Sequence, residues 1–313
     1  MTYEPIRALL REIAGAVPAA LSRLQDNAPA GSRRSTETSG LRATRSGGGK
    51  ERAGLLDEAH RACLLMCGHT SLVIDGIEDC LTVAEPRDGR LNSVALALLT
   101  RALVESASEV YWLLDPSIDG TKRARRTLTW QAAQLRNDRQ AIGPVTDTPE
   151  RQAAEAEMGR RETAWFESVQ RAKFDGRPRI GTKDGMPNAA LLTAAAKPEE
   201  YPAKTHLVEA LTGGSFTYRR LSASAHGRHS GIAGSLQAVG EPDRSGRVQV
   251  AVTGMPLSPG FVLLVAGMAV KGSTRWLVDW NGQATDRIDR ALREAHELAG
   301  RVAPSPTYIE PRH

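Results

Sequence analysis

The residues best suited to chemistry in this chain are histidines and arginines that share one helical stripe. They are concentrated in Ser215-Phe216-Thr217-Tyr218-Arg219-Arg220-Leu221-Ser222-Ala223-Ser224-Ala225-His226-Gly227-Arg228-His229. On an α-helix, Arg219, Ser222, His226 and His229 fall at i, i+3, i+7 and i+10, with Leu221 and Ala225 on a neighbouring face. A histidine changes charge close to neutral pH. An arginine offers a rigid fork of donors to anionic oxygens. The stripe therefore unites a proton carrier with an anion clamp. Ser222, Ala223, Ser224 and Ala225 are small enough to let another helix or a ligand approach, and Gly227 ends or bends the helix after His226.

A second polar element interrupts the most apolar helix of the first half. Asn92 is suited to cap a helix that Pro116 then stops. Between them apolar residues cover most of the circumference, the pattern of a helix surrounded by other helices. Arg101 and Glu105 lie four apart on one face of that helix, and Ser108 and Trp112 continue the face. Charges inside a bundle must be paired and hydrogen-bonded. Arg101 and Glu105 are thus expected to form a buried polar seam facing Ser215–His229.

Several familiar patterns fail on their neighbours. Asp57-Glu58-Ala59-His60 spells a helicase box, yet no G-x-x-x-x-G-K-[ST] loop precedes it. No G-x-S-x-G elbow and no G-x-G-x-x-G turn occurs. Cys63 and Cys67 have a spacing that zinc sites permit, but Leu64, Leu65 and Met66 between them point to small buried residues instead. No metal and no cofactor is expected.

Arg220-x5-His226, or Arg219-x6-His226, fits the R-x4–6-H pattern of HEPN domains. Together with Arg101-Ala102-Leu103-Val104-Glu105, Tyr218-Arg219-Arg220-Leu221-Ser222 and Ala225-His226-Gly227, it resembles the HEPN-like helical proteins of the DUF5677 type. The resemblance covers two short blocks between about Leu91 and Gly227. It implies an all-helical, metal-independent ribonuclease of a toxin or defence system, with RNA as partner and a site shared by two subunits of a homodimer. Under it His226 is the acid/base, Arg219 or Arg220 the phosphate clamp, and Ser222 or Tyr218 an orienting group. Lys122, Arg125 and Arg126 would track the RNA backbone. Two rival readings stand beside it. One is a non-catalytic binding or scaffold bundle, in which His226 and Ser222 only bond to Glu105 and Arg101. The other is an enzyme on a small anionic substrate held by Arg101, Arg219 and His226.

The elements that must position these groups read as an all-α bundle of about seven to nine helices with one small β-hairpin. The divisions are a short N-terminal helix within 1–25, a flexible basic linker over 26–52, a helical bundle over 53–303 and a tail over 304–313. Ser, Thr, Gly and Arg crowd the 26–50 stretch and apolar residues almost vanish there. Helices are expected at Ile6–Val17, Leu55–Ala84, Asn92–Asp115, Thr121–Ile142 and Thr148–Phe174, the last two as an antiparallel hairpin. Short helices are expected at Asn188–Ala196 and Lys204–Leu211, with loop over Gly176–Pro187. Ser215–His229 is another helix, and Gln237–Val252 holds the hairpin. Pro259–Trp280 and Thr285–Gly300 close the chain.

With 313 residues and 41% hydrophobic content, the chain can bury a sizeable core. A net charge of +5 is too modest to decide on a partner, and three cysteines without a disulfide framework suit a reducing cytoplasm. The N-terminus lacks the basic flank and apolar run of a signal peptide. The apolar window Leu257–Val270 falls short of the roughly 20 residues a bilayer span needs, so no membrane is expected.

Overall fold

The chain forms a bundle of helices, as the periodicity requires. The computed structural model describes residues 3–24, 28–44, 47–84, 93–144, 148–174, 180–183, 186–192, 201–213, 221–222, 236–239, 249–252 and 259–302. Helices α1 (Glu4–Leu21), α2 (Arg33–Arg42), α3 (Gly49–Ala84) and α4 (Ser93–Leu114) are followed by α5 (Gly120–Ile142), α6 (Thr148–Ala172) and α7 (Lys204–Thr212). Then come α8 (Pro259–Trp280) and α9 (Asp286–Val302). Two antiparallel hairpins pair Ile180–Lys183 with Met186–Leu192 and Leu236–Val239 with Gln249–Val252.

Helix α3 spans the molecule and packs on α1, α2, α4 and α5. One core joins α1, the later half of α3, α4, α8 and α9 through Leu10, Ile13, Ile74, Ile77, Leu103, Val265 and Ala295. A second core, at the other end of α3, gathers Leu55, Leu56, Leu113, Leu128 and Trp165. Helix α8 is apolar on all sides over Pro259–Val270 and, at 22 residues, is long and apolar enough to cross a membrane by length and composition, longer than the apolar window alone suggests. It packs against α1, α4 and α9 instead. A π turn at Lys271–Arg275 interrupts it where Gly272 lies against Leu211 of α7 and Tyr111 of α4; a side chain there would collide with both.

The stretch 26–52, expected to be a flexible linker, instead contains α2 and the first turn of α3. Ser32 caps α2 by accepting from the Ser35 amide. Arg34 then enters the interior, where it donates to Asp57 and Asn281. Ionic anchors and a single core leucine, Leu41, hold this segment, too little apolar content for a hydropathy pattern to register. Likewise α1 belongs to the main core rather than standing apart from the bundle. Met186–Leu192 is a strand where a helix at Asn188–Ala196 was expected. Ile180–Lys183, within the stretch expected as loop, is its antiparallel partner, so the chain has a second hairpin beside the one expected at 237–252; backbone pairing between strands outweighs the local helix preference of the alanines and leucines.

Pro116 stops α4 and leaves its last carbonyls without helical partners. Arginines of α5 supply them. Arg123 Nη1 donates to the Leu113 carbonyl (2.6 Å) and Arg126 Nη1 to the Trp112 carbonyl (2.6 Å). Asp119 caps α5 by accepting from the Lys122 amide. Two of the basic residues of α5, Arg123 and Arg126, are therefore turned inward, while Lys122, Arg136 and Arg139 stay exposed. On its outer side, Arg139–Glu162 and Arg161–Asp138 pairs join α5 to α6 as the expected antiparallel hairpin.

Cys63 and Cys67 are fully buried in the second core. Burial pushes the Cys67 thiol up to about 12, with hydroxyls of Thr274 and Ser273 partly opposing it. Neither thiol is expected to react with a disulfide reagent in the native protein, whereas half-buried Cys80 reacts. Absorbance at the thiolate product should show one fast equivalent, and the other two only in urea. Two or three fast equivalents would contradict this packing.

Candidate functional site

The α4 polar seam exists, but it is less enclosed than its apolar surroundings suggest. Arg101 Nε donates to Glu105 Oε1 at 2.7 Å, and the two side chains keep 24% and 26% of their exposure. Ser108, one turn on, is buried and donates to the Glu105 carbonyl. Trp112 closes the face, packed edge-on against Tyr201 at 5.3 Å.

The buried carboxylate beside this face is Glu109, four residues beyond Glu105. Its Oε2 accepts from Trp130 Nε1 at 2.7 Å and from Gln134 Nε2 at 3.4 Å. Its Oε1 takes the ammonium of Lys204, at the start of α7. Burial holds the Lys204 amine below its ordinary value, and Glu105 works against that shift. Tyr201 lies under Lys204, and its hydroxyl is buried without a hydrogen-bond partner among the described residues. Burial, then the Glu105 carboxylate, pushes that phenol above its usual range. Helix α7 is set against α4 by Leu207 and Val208 and ends at Gly213 in the left-handed conformation (φ 74°).

The two carboxylates therefore have different capacities. Glu109 is saturated by three donors and acts as a clamp between α4, α5 and α7. Glu105 holds a single described side-chain donor, is reached by solvent, and can accept a further hydrogen bond. Beyond Trp130 and Gln134 a cavity of about 390 Å³ opens between α3, α5 and α6, with Glu58, Gln131, Arg161 and Ser168 on its walls.

Of the groups expected to carry chemistry, Tyr218, Arg219, Arg220, His226 and His229 lie outside the described residues. Ser222 is described: it is helical and half-buried, and Leu221 before it is buried in the core that includes Leu103, Val104 and Ala107 of α4. The two blocks thus share a core. Lys122 is exposed and Arg125 is half-buried with its guanidinium 5.2 Å from the Phe174 ring. Arg126, expected to follow an RNA backbone, is buried and bonded to Trp112 and Asp115, so it serves the fold. Glu109, Lys204, Tyr201 and Trp130 were not foreseen. The Glu105–Glu109 spacing on one face of α4 was the available signal; nothing in the sequence places α7 opposite it.

No protein family, no curated protein and no solved structure matches this chain.

Proposed function

We propose that this chain is a HEPN-like helical ribonuclease of the toxin or defence type, cleaving RNA in the cytoplasm without a metal ion and working as a homodimer. What supports the reading is that Leu221, beside the motif arginines in sequence, belongs to the same core as Leu103 and Val104 of the Arg101–Glu105 block. Ser222 is left at a half-exposed edge, and Arg101 and Glu105 of α4 remain open to solvent. A sealed polar seam would admit no substrate; this one can. In the proposed reaction His226 takes the proton of a ribose 2′-OH as that oxygen attacks the adjacent phosphorus. The bond to the 5′-oxygen breaks, that oxygen takes a proton from water, and His226 later returns its proton to water, giving a 2′,3′-cyclic phosphate and a 5′-hydroxyl. Arg219 or Arg220 stabilises charge on the non-bridging oxygens, with Ser222 or Tyr218 orienting them. Exposed Lys122 offers a phosphate contact.

His226→Ala is expected to abolish RNA cleavage by the purified protein while leaving its melting temperature nearly unchanged. Loss of fold stability without any cleavage by the parent protein would refute the assignment.

One observation favours a second reading, a non-catalytic binding or scaffold bundle. Glu109, Lys204 and Trp130 satisfy one another without a ligand, as a purely structural network does. Under it, His226→Ala lowers the melting temperature because a buried partner is lost.

A further inference from the structure

Three leucines break the burial pattern of the bundle: Leu65 keeps 77% of its exposure, Leu72 70% and Leu98 50%. Leu65 and Leu72 lie two turns apart on α3 with Gly68 between them. At 100° per residue, Arg61, Leu65, Gly68, Leu72, Gly76 and Asp79 fall on one narrow stripe, and Asp75 borders it. The stripe runs between the α1 side of α3, where Ser71 donates to the Ala14 carbonyl, and the α4 side, where Leu99 lies near Gly76. Among the described residues nothing covers Leu65 or Leu72.

The two ends of the stripe carry opposite charge. Arg61 is exposed and has no ion-pair partner among the described residues, and neither do Asp75 and Asp79. Arg7 and Arg11 of α1 are engaged by Glu78 and Glu4 instead. With a rise of about 1.5 Å per residue, Arg61 and Asp75 sit about 21 Å apart along the helix, so they cannot neutralise each other within one chain.

We infer that this face of α3 packs against the same face of a second copy of the chain, antiparallel, about a two-fold axis between Gly68 and His69. That axis sets Leu65 against the partner's Leu72 and Leu72 against the partner's Leu65. The same operation brings Arg61 to the partner's Asp75 and Asp79 at both ends at once, an isologous contact. Gly68 at the crossing point lets the two backbones approach. Parallel pairing would set Arg61 on Arg61 and Asp75 on Asp75, so the charge pattern selects the antiparallel arrangement. The interface does not depend on the RNA-cleavage reading; it rests on α3 alone.

Sedimentation equilibrium of the full chain across a concentration series tests it, with circular dichroism as a check on folding. The parent is expected to be a dimer, and Leu65→Glu with Leu72→Glu to weaken it by about a hundredfold or more while leaving the fold intact, since both side chains are already in water. Arg61→Glu alone weakens the dimer, as does Asp75→Arg with Asp79→Arg, and combining all three charge reversals restores it. A parent that stays monomeric throughout the series would overturn the inference. So would a dimer indifferent to the leucine changes, or a combined reversal no tighter than its parts.

Discussion

Arg123→Ala is expected to cost the fold about 4 kcal/mol, read as a lower urea midpoint at an unchanged slope. Arg123 is fully buried and its guanidinium lies 5.2 Å from the Trp280 ring. It donates to Glu37 Oε2 at 3.0 Å and to the carbonyls of Leu113, Asp115 and Ile118. Burial pulls its guanidinium below the usual arginine range, and Glu37 offsets part of that shift. Among the described residues, removing it leaves the Glu37 carboxylate inside with Arg33 and the Trp280 indole as donors, and it takes the donor from the Leu113 carbonyl while Arg126 still holds that of Trp112. Breaking one side of a buried pair is costly because the other charge stays behind. Arg123→Met with Glu37→Leu should therefore recover much of the loss. A single-variant cost below about 1 kcal/mol, the range of a surface pair, would contradict this account of how α2, α4 and α5 are joined.

Glu109→Ala is the next largest expected effect, about 3 kcal/mol, because the Trp130 indole and the Lys204 ammonium each lose their acceptor in a half-sealed space. The comparison that isolates the pair is Glu109→Ala with Lys204→Met, which should cost less than the sum of the two single changes. The pH dependence follows from the direction of the Lys204 shift. Its folded value lies below the ordinary 10.5, so between the two values the unfolded chain holds the proton and the folded chain does not. Stability then rises with pH across that interval. Without Glu109 the amine is held lower still, so the interval widens and the rise becomes larger. Chemical denaturation at a series of alkaline pH values measures it; an unchanged pH profile in the Glu109 variant would show that the ammonium does not rely on that carboxylate.

How much of this was legible in the chain depends on what holds each element. Apolar periodicity and proline stops were enough for α4 through α7 and for the closing pair α8 and α9, each bounded within two residues of expectation, and for the end of α3, which starts six residues before the expected Leu55. Helix α2 was not legible, because Arg34 anchors it through Asp57 and Asn281, and a buried arginine looks in sequence like a solvated one. The same blindness assigned Arg126 to a nucleic-acid surface when it caps α4. Arg101 and Glu105 were legible as a seam because an ion pair inside an apolar helix contradicts its surroundings. Glu109 escaped notice since its partners, Lys204 and Trp130, are 95 and 21 residues away, and only tertiary packing brings them together. The strand at Met186–Leu192 shows the remaining limit: a run of alanine and leucine has a helical preference that pairing with Ile180–Lys183 overrides.

The most direct test of the central claim is the product end left on RNA. Purified protein incubated with single-stranded RNA and excess chelator should yield fragments ending in a 2′,3′-cyclic phosphate, and His226→Ala should yield none at equal fold stability. Intact RNA with the parent protein, or cleavage that the chelator stops, would contradict the account.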